Sequence, residues 1–279
     1  MYNVIKVLNN SVLLATCESS NREVILLGKG IGFQYKANNE IKDLSDMRIY
    51  ELQDMTSKGS SMQIIDKVDP SYLEIAHEII ALAERKFNTI DANILLPLAD
   101  HIAFAIERIK QKMDIVNPFA NDIRLLFPDE YEIALAGKKR IEEITGMEIS
   151  EDEVGYITLH VHAALGHDQV DKSMLVAVII NDSIKSIEED CNIKIDVRSI
   201  SYSRLLMHIK YMLARLEQKE KLNLDMEDYT KTNFPYSYDV AKRICVRIGQ
   251  TIHQSVPRIE IGYLALHIER VCRIDEPKD

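Results

Sequence analysis

EVGYITLHV occupies residues 153–161, and a near copy, EIGYLALHI, occupies residues 260–268. Both stretches keep Glu, Gly, Tyr, Leu and His at the same positions, so that His160 corresponds to His267. We call the offset that carries His160 onto His267 the repeat shift. A long stretch that recurs at a fixed offset is the signature of a duplicated structural unit. This repeat therefore decides the fold of most of the chain.

Two further blocks align at the same repeat shift without a gap. In and around them, apolar residues recur every three or four positions, which is typical of amphipathic helices. We therefore predict two copies of one all-α helical bundle, over residues 65–170 and residues 171–279. The aligned blocks are residues 101–112 with residues 208–219, and Phe127-Pro128 with Phe234-Pro235.

Residues 1–57 follow a different pattern, in which short apolar runs are separated by polar turns. The turns are too short for crossover helices, so the pattern predicts a small antiparallel meander. A sheet of this size buries little apolar surface alone, which favours a dimer. TSKGSSMQI, at residues 56–64, is predicted to be a linker. The predicted strands lie near residues 2–8, 11–17, 23–28 and 31–36.

The fold class is therefore multidomain α+β, with a small antiparallel β domain ahead of two duplicated helical bundles. The net charge of −10 argues against binding nucleic acid over the whole surface, yet residues 1–36 carry a net charge of +2. The longest clean apolar run, residues 174–180, is far shorter than the roughly 20 residues of a membrane-spanning helix. The N-terminus has no secretory pattern, so we expect a cytoplasmic protein without membrane insertion.

The four cysteines form no C-x-x-C pair. Neither a zinc site nor a disulfide framework has this arrangement, so we expect scattered, reduced thiols.

The repeat places histidines at equivalent positions: His101 matches His208, and His160 matches His267. A single histidine in an amphipathic helix is usually a core or boundary residue. The histidines outside the repeat keep that interpretation. Four histidines at matched positions favour a chemical role instead, either as metal ligands or as acceptors of phosphate.

Metal binding is the weaker of the two interpretations. A structural zinc needs about four ligands, usually completed by Cys or a carboxylate. Asp100 is a candidate ligand, but its counterpart in the second copy is Met207, and no cysteine recurs. A neutral imidazole, by contrast, is a competent nucleophile toward a phosphoryl group near pH 7. The pattern therefore favours reversible phosphorylation, with no metal and no cofactor.

Two local features surround the histidines. Ser150 followed by Glu153 fits a capping box at the start of the helix that carries His160. Arg108 lies two helical turns after His101, which is about 10 Å along a helix, and the second copy repeats this spacing. The arginine of each copy either lines the same surface as the histidine or is solvated, and we expect it to be solvated by default.

Two polar turns of the front domain are either ordinary hairpin turns or an RNA surface. Asn amides can read base edges, glycine lets a backbone approach closely, Lys reaches phosphate, and Phe can stack on an unpaired base. The glycines match neither a P-loop nor a dinucleotide-binding spacing. The residues of these turns are Asn9, Asn10 and Ser11, then Gly28, Lys29, Gly30 and Phe33.

Taken together, four motifs resemble the BglG/SacY family of transcriptional antiterminators, and most of all its glucose-type (GlcT-like) branch. The resemblance covers essentially the whole chain. It implies a co-antiterminator (CAT) RNA-binding domain over residues 1–57 that acts as a homodimer, followed by two PTS regulation domains over residues 65–170 and 171–279. The motifs are LNNSV at residues 8–12, LLGKGIGF at residues 26–33, DHIAFA at residues 100–105 and GYITLH at residues 155–160.

The resemblance implies a regulator, not an enzyme. The front domain would bind a leader-RNA hairpin that overlaps a terminator, so that polymerase reads on into sugar phosphotransferase-system genes. HPr or a sugar-specific enzyme II would phosphorylate the regulation domains. The implied phosphoacceptors are His101, His160, His208 and His267, with Asp100 beside the first, and the implied RNA-contacting residues are Lys6, Asn9, Asn10, Ser11, Gly28, Lys29, Gly30 and Phe33.

Two positions depart from the family pattern. Ser11 stands where many members have a third Asn, and Lys29 stands where others have Arg, which leaves the RNA sequence open. The different-class alternative is a helical phosphotransfer or metal-binding signalling module whose β domain only dimerises. Binding of a structured leader RNA by residues 1–60 would separate the two.

Overall fold

The computed structural model describes residues 1–52, 65–113, 115–166, 170–220 and 222–274. The chain divides into two compact units, Met1–Ser173 and Met174–Asp279. The first unit contains the sheet and the first helical domain, and the second contains most of the second helical domain. The predicted linker at residues 56–64 lies outside the described residues.

The front domain is a five-stranded antiparallel sheet. Its strands are β1 Tyr2–Val7, β2 Val12–Cys17, β3 Arg22–Leu27, β4 Glu40–Ile41 and β5 Arg48–Glu51. They lie in the order β4-β1-β2-β3-β5, so the first three strands form the predicted meander. The pairing of β2 with β3 places Val12 opposite Leu27 and Leu14 opposite Ile25.

The predicted fourth strand, at residues 31–36, is wrong. Ile31–Gln34 forms a single helical turn, α1, after Gly30, whose φ of 73° lies in the left-handed region. Glycine adopts this conformation readily, and here it turns the chain out of the sheet. The short strands β4 and β5, which the pattern missed, pair with β1 and β3 at the two edges.

Both faces of the sheet are covered, because successive side chains of a strand point to opposite faces. Val4, Leu13 and Leu26 belong to a core on one face. Val12 and Leu14, from the other face, join the core of the first helical domain. The sheet is thus covered within one chain, so its small size does not by itself require a dimer.

Five helices of the described residues build the first helical domain. They are α2 Pro70–Phe87, α3 Leu95–Lys110, α4 Ala120–Leu126, α5 Pro128–Thr145 and α6 Glu151–Gly166. Asp69 caps α2 by accepting a hydrogen bond from the backbone N–H of Ser71. Ser150 accepts one from the backbone N–H of Glu153 at 3.3 Å, which confirms half of the predicted capping box.

The second helical domain repeats the first. Its helices are α7 Val170–Cys191, α8 Ile200–Gln218, α9 Glu227–Asn233, α10 Pro235–Thr251 and α11 Arg258–Ile274. The repeat shift carries the first residues of α4 and α5 onto the first residues of α9 and α10. Phe127 and Phe234, before the two prolines, have matching backbone angles of φ −132°, ψ 58° and φ −136°, ψ 56°. The predicted duplication is confirmed.

In the part of the chain that the structure describes, no helix is long and apolar enough to cross a membrane.

Candidate functional site

Each helical domain brings its two predicted histidines together. The rings of His101 on α3 and His160 on α6 have centroids 5.1 Å apart and are tilted by 41°. The rings of His208 on α8 and His267 on α11 lie 4.5 Å apart at 29°. The members of each pair are remote in the sequence and lie on different helices, so only the packing of two helices creates the pair.

A buried Arg–Glu pair lies within each of these sites. Arg108 donates a hydrogen bond of 2.5 Å to Glu153, and Arg215 donates two of 2.8 Å to Glu260. The side chains of the two glutamates are each 3% exposed. The expectation that the arginines are solvated is therefore wrong. Each is held by a carboxylate 45 residues further along the chain, a partner that local spacing does not reveal.

The two copies differ in what else the glutamate contacts. Glu153 Oε2 lies 3.3 Å from His101 Nε2, at ion-pair distance but without hydrogen-bond alignment. In the second copy, Arg215 occupies both oxygens of Glu260. Among the described residues, His208 Nε2 has no hydrogen-bond partner. His101 therefore faces a carboxylate directly, whereas His208 does not.

Two opposing effects set the charge of the first glutamate. Burial raises the pKa of Glu153, but its contacts with His101 and Arg108 outweigh burial and hold that pKa below its usual value. The carboxylate is therefore ionised near pH 7. A buried carboxylate of this kind needs a cationic partner, and Arg108 is that partner.

The histidines of the second copy are held in the neutral form. Burial first, then the neighbouring His267 and Arg215, lower the pKa of His208 to about 3. Burial, followed by Arg270 and Arg204, also lowers the pKa of His267. Near pH 7 each ring thus keeps an unprotonated nitrogen, which is the nucleophilic form of imidazole.

The glycine of each repeated stretch lets the helix approach its neighbours. A Cβ on Gly155 would lie 2.8 Å from Asn117 Nδ2, and one on Gly262 would lie 2.9 Å from the backbone nitrogen of Glu227. No other residue fits at such distances without displacing its neighbours. In each copy the glycine lets its helix pack closely against its neighbours, and the same helix carries the Glu and the His. The three residues therefore recur together.

The two site glutamates were only partly foreseeable. Glu153 is predicted as a helix-capping residue, and Glu260 is not singled out. The sequence did contain a signal for both glutamates. Glu is the first residue of each repeated stretch, and Arg108 and Arg215 also correspond under the repeat shift. Matched residues of opposite charge in a duplicated domain are a pattern from which such pairs can be predicted.

The predicted neighbour of the first site, Asp100, is exposed. Phe104, one turn beyond His101, is 62% exposed, and the guanidinium of Arg108 lies 4.5 Å from its ring centroid. Its counterpart Tyr211 is 56% exposed. An exposed aromatic ring thus marks the surface next to the first histidine of each copy. Within the described ranges, no three His, Cys, Asp or Glu side chains cluster as a metal site requires.

The two polar turns of the front domain pack against each other. The N–H of Gly28 donates to the carbonyl of Ser11 at 3.0 Å, and that of Gly32 donates to the carbonyl of Asn10 at 2.9 Å. A Cβ on Gly32 would lie 2.1 Å from the carbonyl oxygen of Asn9, so only glycine permits this approach. The structure therefore brings the predicted RNA residues of both turns to one surface.

Two residues beside this junction are open to a ligand. Phe33 is 76% exposed, which is unusual for a large apolar side chain, and Lys29 is exposed. A flat ring and a cation on one small surface are the groups that stack on a base and contact a phosphate.

Two other predicted RNA residues contact the first helical domain instead. Asn9 Nδ2 donates to Glu74 Oε1 at 2.6 Å. Lys6 Nζ lies 3.6 Å from Asp66 Oδ1, with both side chains 59% exposed. In this conformation, one acidic side chain of the first helical domain accepts a hydrogen bond from Asn9, and another lies at ion-pair distance from Lys6.

Comparison with known proteins finds matches to two domain families. The CAT RNA binding domain family matches residues 2–59, and the PRD domain family matches residues 77–164 and 181–271. The GlcA/glcB genes antiterminator of Staphylococcus carnosus (strain TM300) is 32% identical over 281 residues, which cover 99% of this chain and 97% of the relative. Protein GlcT of Staphylococcus haemolyticus (strain JCSC1435) is 32% identical over 271 residues, which cover 96% of this chain and 95% of the relative.

A solved structure is also similar. The crystal structure of GlcT CAT-PRDI is 38% identical, covers 59% of this chain and 98% of its own, and superposes with a TM-score of 0.49. The matches to both domain families and to full-length relatives show the family. The chain belongs to the BglG/SacY family of transcriptional antiterminators, with a CAT RNA-binding domain followed by two PRD domains.

Proposed function

We propose that the protein binds a leader-RNA hairpin, prevents formation of an overlapping terminator upstream of sugar phosphotransferase-system genes, and is controlled by phosphorylation of its histidines. The family supports an RNA-binding antiterminator regulated by the phosphotransferase system. The observation that carries the control mechanism is the repeated site, in which two adjacent imidazoles lie beside a buried Arg–Glu pair. The histidines accept phosphate as regulatory groups and do not turn over a substrate.

Three parts of the chain divide this work. Residues 1–57 bind RNA as a homodimer, residues 65–170 form the first regulation domain, and residues 171–279 form the second. We place the protein in the cytoplasm, where nascent transcripts and phosphotransferase proteins meet.

The RNA surface centres on the junction of the two polar turns. Phe33 stacks on an unpaired base, Lys29 contacts a phosphate, and the backbone at Gly28 and Gly30 lets the RNA approach closely. The amides of Asn9 and Asn10, with Ser11 and Lys6, complete the surface. Asn9 and Lys6 must first leave Glu74 and Asp66, so RNA binding competes with contacts inside the protein.

The four matched histidines, His101, His160, His208 and His267, are the proposed phosphoacceptors. An unprotonated ring nitrogen attacks the phosphorus of a phosphohistidine on HPr or a sugar-specific enzyme II. The bond from phosphorus to the donor nitrogen breaks, the acceptor ring loses the proton of its other nitrogen, and the donor ring takes up a proton and becomes neutral again.

Phosphorylation changes the charge balance of the site. The new group brings about 1.5–2 negative charges. In the first copy it arrives beside Glu153, which already shares Arg108. The phosphate and Glu153 then compete for one arginine, and the packing of α3 on α6 changes. We propose that phosphorylation of this first domain by enzyme II inactivates the protein when sugar is absent.

The non-RNA alternative, a phosphotransfer or metal-binding module with a front domain that only dimerises, is not favoured. The front domain matches an RNA-binding family over residues 2–59, and one full-length relative of the chain is named an antiterminator.

A phosphotransfer assay tests the proposed acceptors. Radiolabelled HPr and enzyme II are incubated with the wild type, with each single His→Ala variant of the four, and with the quadruple variant. His253→Ala, an exposed histidine outside the repeat, is the matched control. Loss of label at one or more of the four, with full labelling of the control, supports the proposal. Unchanged labelling of the quadruple variant overturns it.

A further inference from the structure

Two cysteines that are remote in the sequence meet in the second helical domain. Cys191 ends α7, and Cys272 lies in the last turn of α11. Their Sγ atoms are 2.7 Å apart, within about 0.7 Å of the length of a covalent S–S bond, yet no disulfide bond joins them. The expectation that the cysteines are scattered is therefore wrong for this pair.

The end of α7 is anchored where the thiols meet. The hydroxyl of Tyr236, on α10, donates to the backbone carbonyl of Asp190, and Arg243 forms an ion pair of 3.0 Å with the Asp190 carboxylate. The residue before Cys191 is thus tied to α10 through both its main chain and its side chain. Both contacts fix the end of α7 at which Cys191 lies.

The first copy has no such pair. The repeat shift places Glu84 and Leu165 at the positions of Cys191 and Cys272. The contact is therefore not part of the helical bundle common to both copies. The other two cysteines, Cys17 and Cys245, are buried elsewhere.

We propose that Cys191 and Cys272 form an oxidation site that accepts a low-molecular-weight disulfide as its oxidant and closes into an intramolecular disulfide. One cysteine loses its proton, and its thiolate attacks a sulfur of the small disulfide, which expels one small thiolate. The second cysteine, also deprotonated, attacks the mixed disulfide, forms the Cys191–Cys272 bond and expels the other small thiolate. The protein gives up two electrons and two protons, and two small thiols are formed.

The bond would join chain positions 81 residues apart and fasten α11 to α7. α11 also carries Glu260 and His267, so oxidation would restrain the helix on which the second histidine pair depends. Burial raises the pKa of the Cys191 thiol, which slows exchange relative to an exposed thiol and calls for a long incubation. The chemistry does not depend on the proposed phosphorylation.

The test incubates the full-length protein with oxidised glutathione and maps its peptides by mass spectrometry without reduction. A peptide linking Cys191 to Cys272 is expected, together with a fall in free thiols from four to two and no added glutathione. Oxidation should raise the thermal midpoint of the second domain, and dithiothreitol should reverse the rise.

Matched variants complete the test. Cys191→Ser should retain bound glutathione on Cys272 and show no rise in midpoint. Cys17→Ser/Cys245→Ser keeps the pair and should oxidise like the wild type. If this variant does not fold, the peptide map of the oxidised wild type still shows whether Cys191 is linked to Cys272. Glutathione retained on both cysteines of the wild type without a linked peptide, or links that join two molecules only, would overturn the proposal.

Discussion

Arg108 donates a hydrogen bond of 2.5 Å to Glu153 in the interior of the first regulation domain, and the side chains are 12% and 3% exposed. Glu153 in turn faces His101 at 3.3 Å. One carboxylate thus connects an arginine on α3 with a proposed phosphoacceptor on the same helix. The surroundings of the histidine and the stability of the domain therefore depend on the same carboxylate.

Removing the arginine should destabilise the first unit strongly. Arg108→Ala leaves Glu153 buried without its cation, and breaking a buried pair in this way costs about 3–5 kcal/mol. Urea unfolding of residues 1–173 measures the loss. Arg140→Ala is the matched control, because Arg140 and Glu78 also pair at 2.8 Å but are 40% and 43% exposed. The control should lose at most about 1 kcal/mol. Similar small losses for both variants would contradict a buried, interdependent site.

The second regulation domain should lose stability in mild acid because of His208. Its pKa is about 3 in the folded protein, below the value of about 6.5 in an unfolded chain, so the unfolded state binds more protons between these values. The contribution of neutral His208 to the free energy of unfolding is complete above pH 6.5. It declines as the pH falls below that value, by at most ~1.4 kcal/mol per pH unit. Urea unfolding of residues 170–279 between pH 5 and pH 8 measures the slope.

His208→Gln should flatten that slope, and His253→Gln, at an exposed position, should leave it unchanged. His267, whose pKa burial also lowers, should contribute a residual slope of the same sign. Identical slopes for the wild type and His208→Gln would show that His208 is not held neutral by the fold.

Loss of the exposed ring in the front domain should weaken RNA binding. Stacking of one base on an aromatic side chain contributes about 1–3 kcal/mol, so Phe33→Ala should lower affinity for the leader hairpin by roughly 5- to 150-fold. Filter binding at fixed salt concentration measures the change. Phe104→Ala removes a comparably exposed Phe from the first helical domain and should leave affinity unchanged. Equal affinity of Phe33→Ala and wild type would remove Phe33 from the RNA surface.

Release of Asn9 should strengthen RNA binding. Glu74→Ala deletes the carboxylate that accepts a hydrogen bond from the Asn9 amide, so the full-length protein should bind the hairpin more tightly. Glu78→Ala, one turn along the same helix, is the control, since Glu78 pairs with Arg140 and not with the front domain. The result is decisive in either direction: weaker binding by Glu74→Ala would mean that the contact supports the RNA surface and does not compete with it.

Sequence periodicity predicted the parts of the fold that local patterns determine. The repeat aligned Phe127-Pro128 with Phe234-Pro235, and a helix begins at each of the two prolines. The strand predicted at residues 31–36 failed because the left-handed conformation of Gly30 overrides an apolar run. Alternating side chains predicted the three central strands, but not the two short edge strands that pair with them.

The site was predictable as a set of matched residues, but not as a geometry. A shared register selected the four histidines, and only the crossing of two helices showed that they lie in pairs. The partners of Arg108 and Cys191 lie 45 and 81 residues away, beyond the reach of any local spacing rule. Ion pairs and thiol pairs between residues this far apart could therefore be identified only in the tertiary structure.

The most direct test of antitermination under histidine control is transcription in vitro through the leader and terminator upstream of a neighbouring sugar-transporter gene. The unphosphorylated protein should raise read-through past the terminator. Prior phosphorylation by enzyme II should abolish the rise in the wild type, but not in a His101→Ala/His160→Ala variant. Read-through that is the same with and without the unphosphorylated protein would contradict the account.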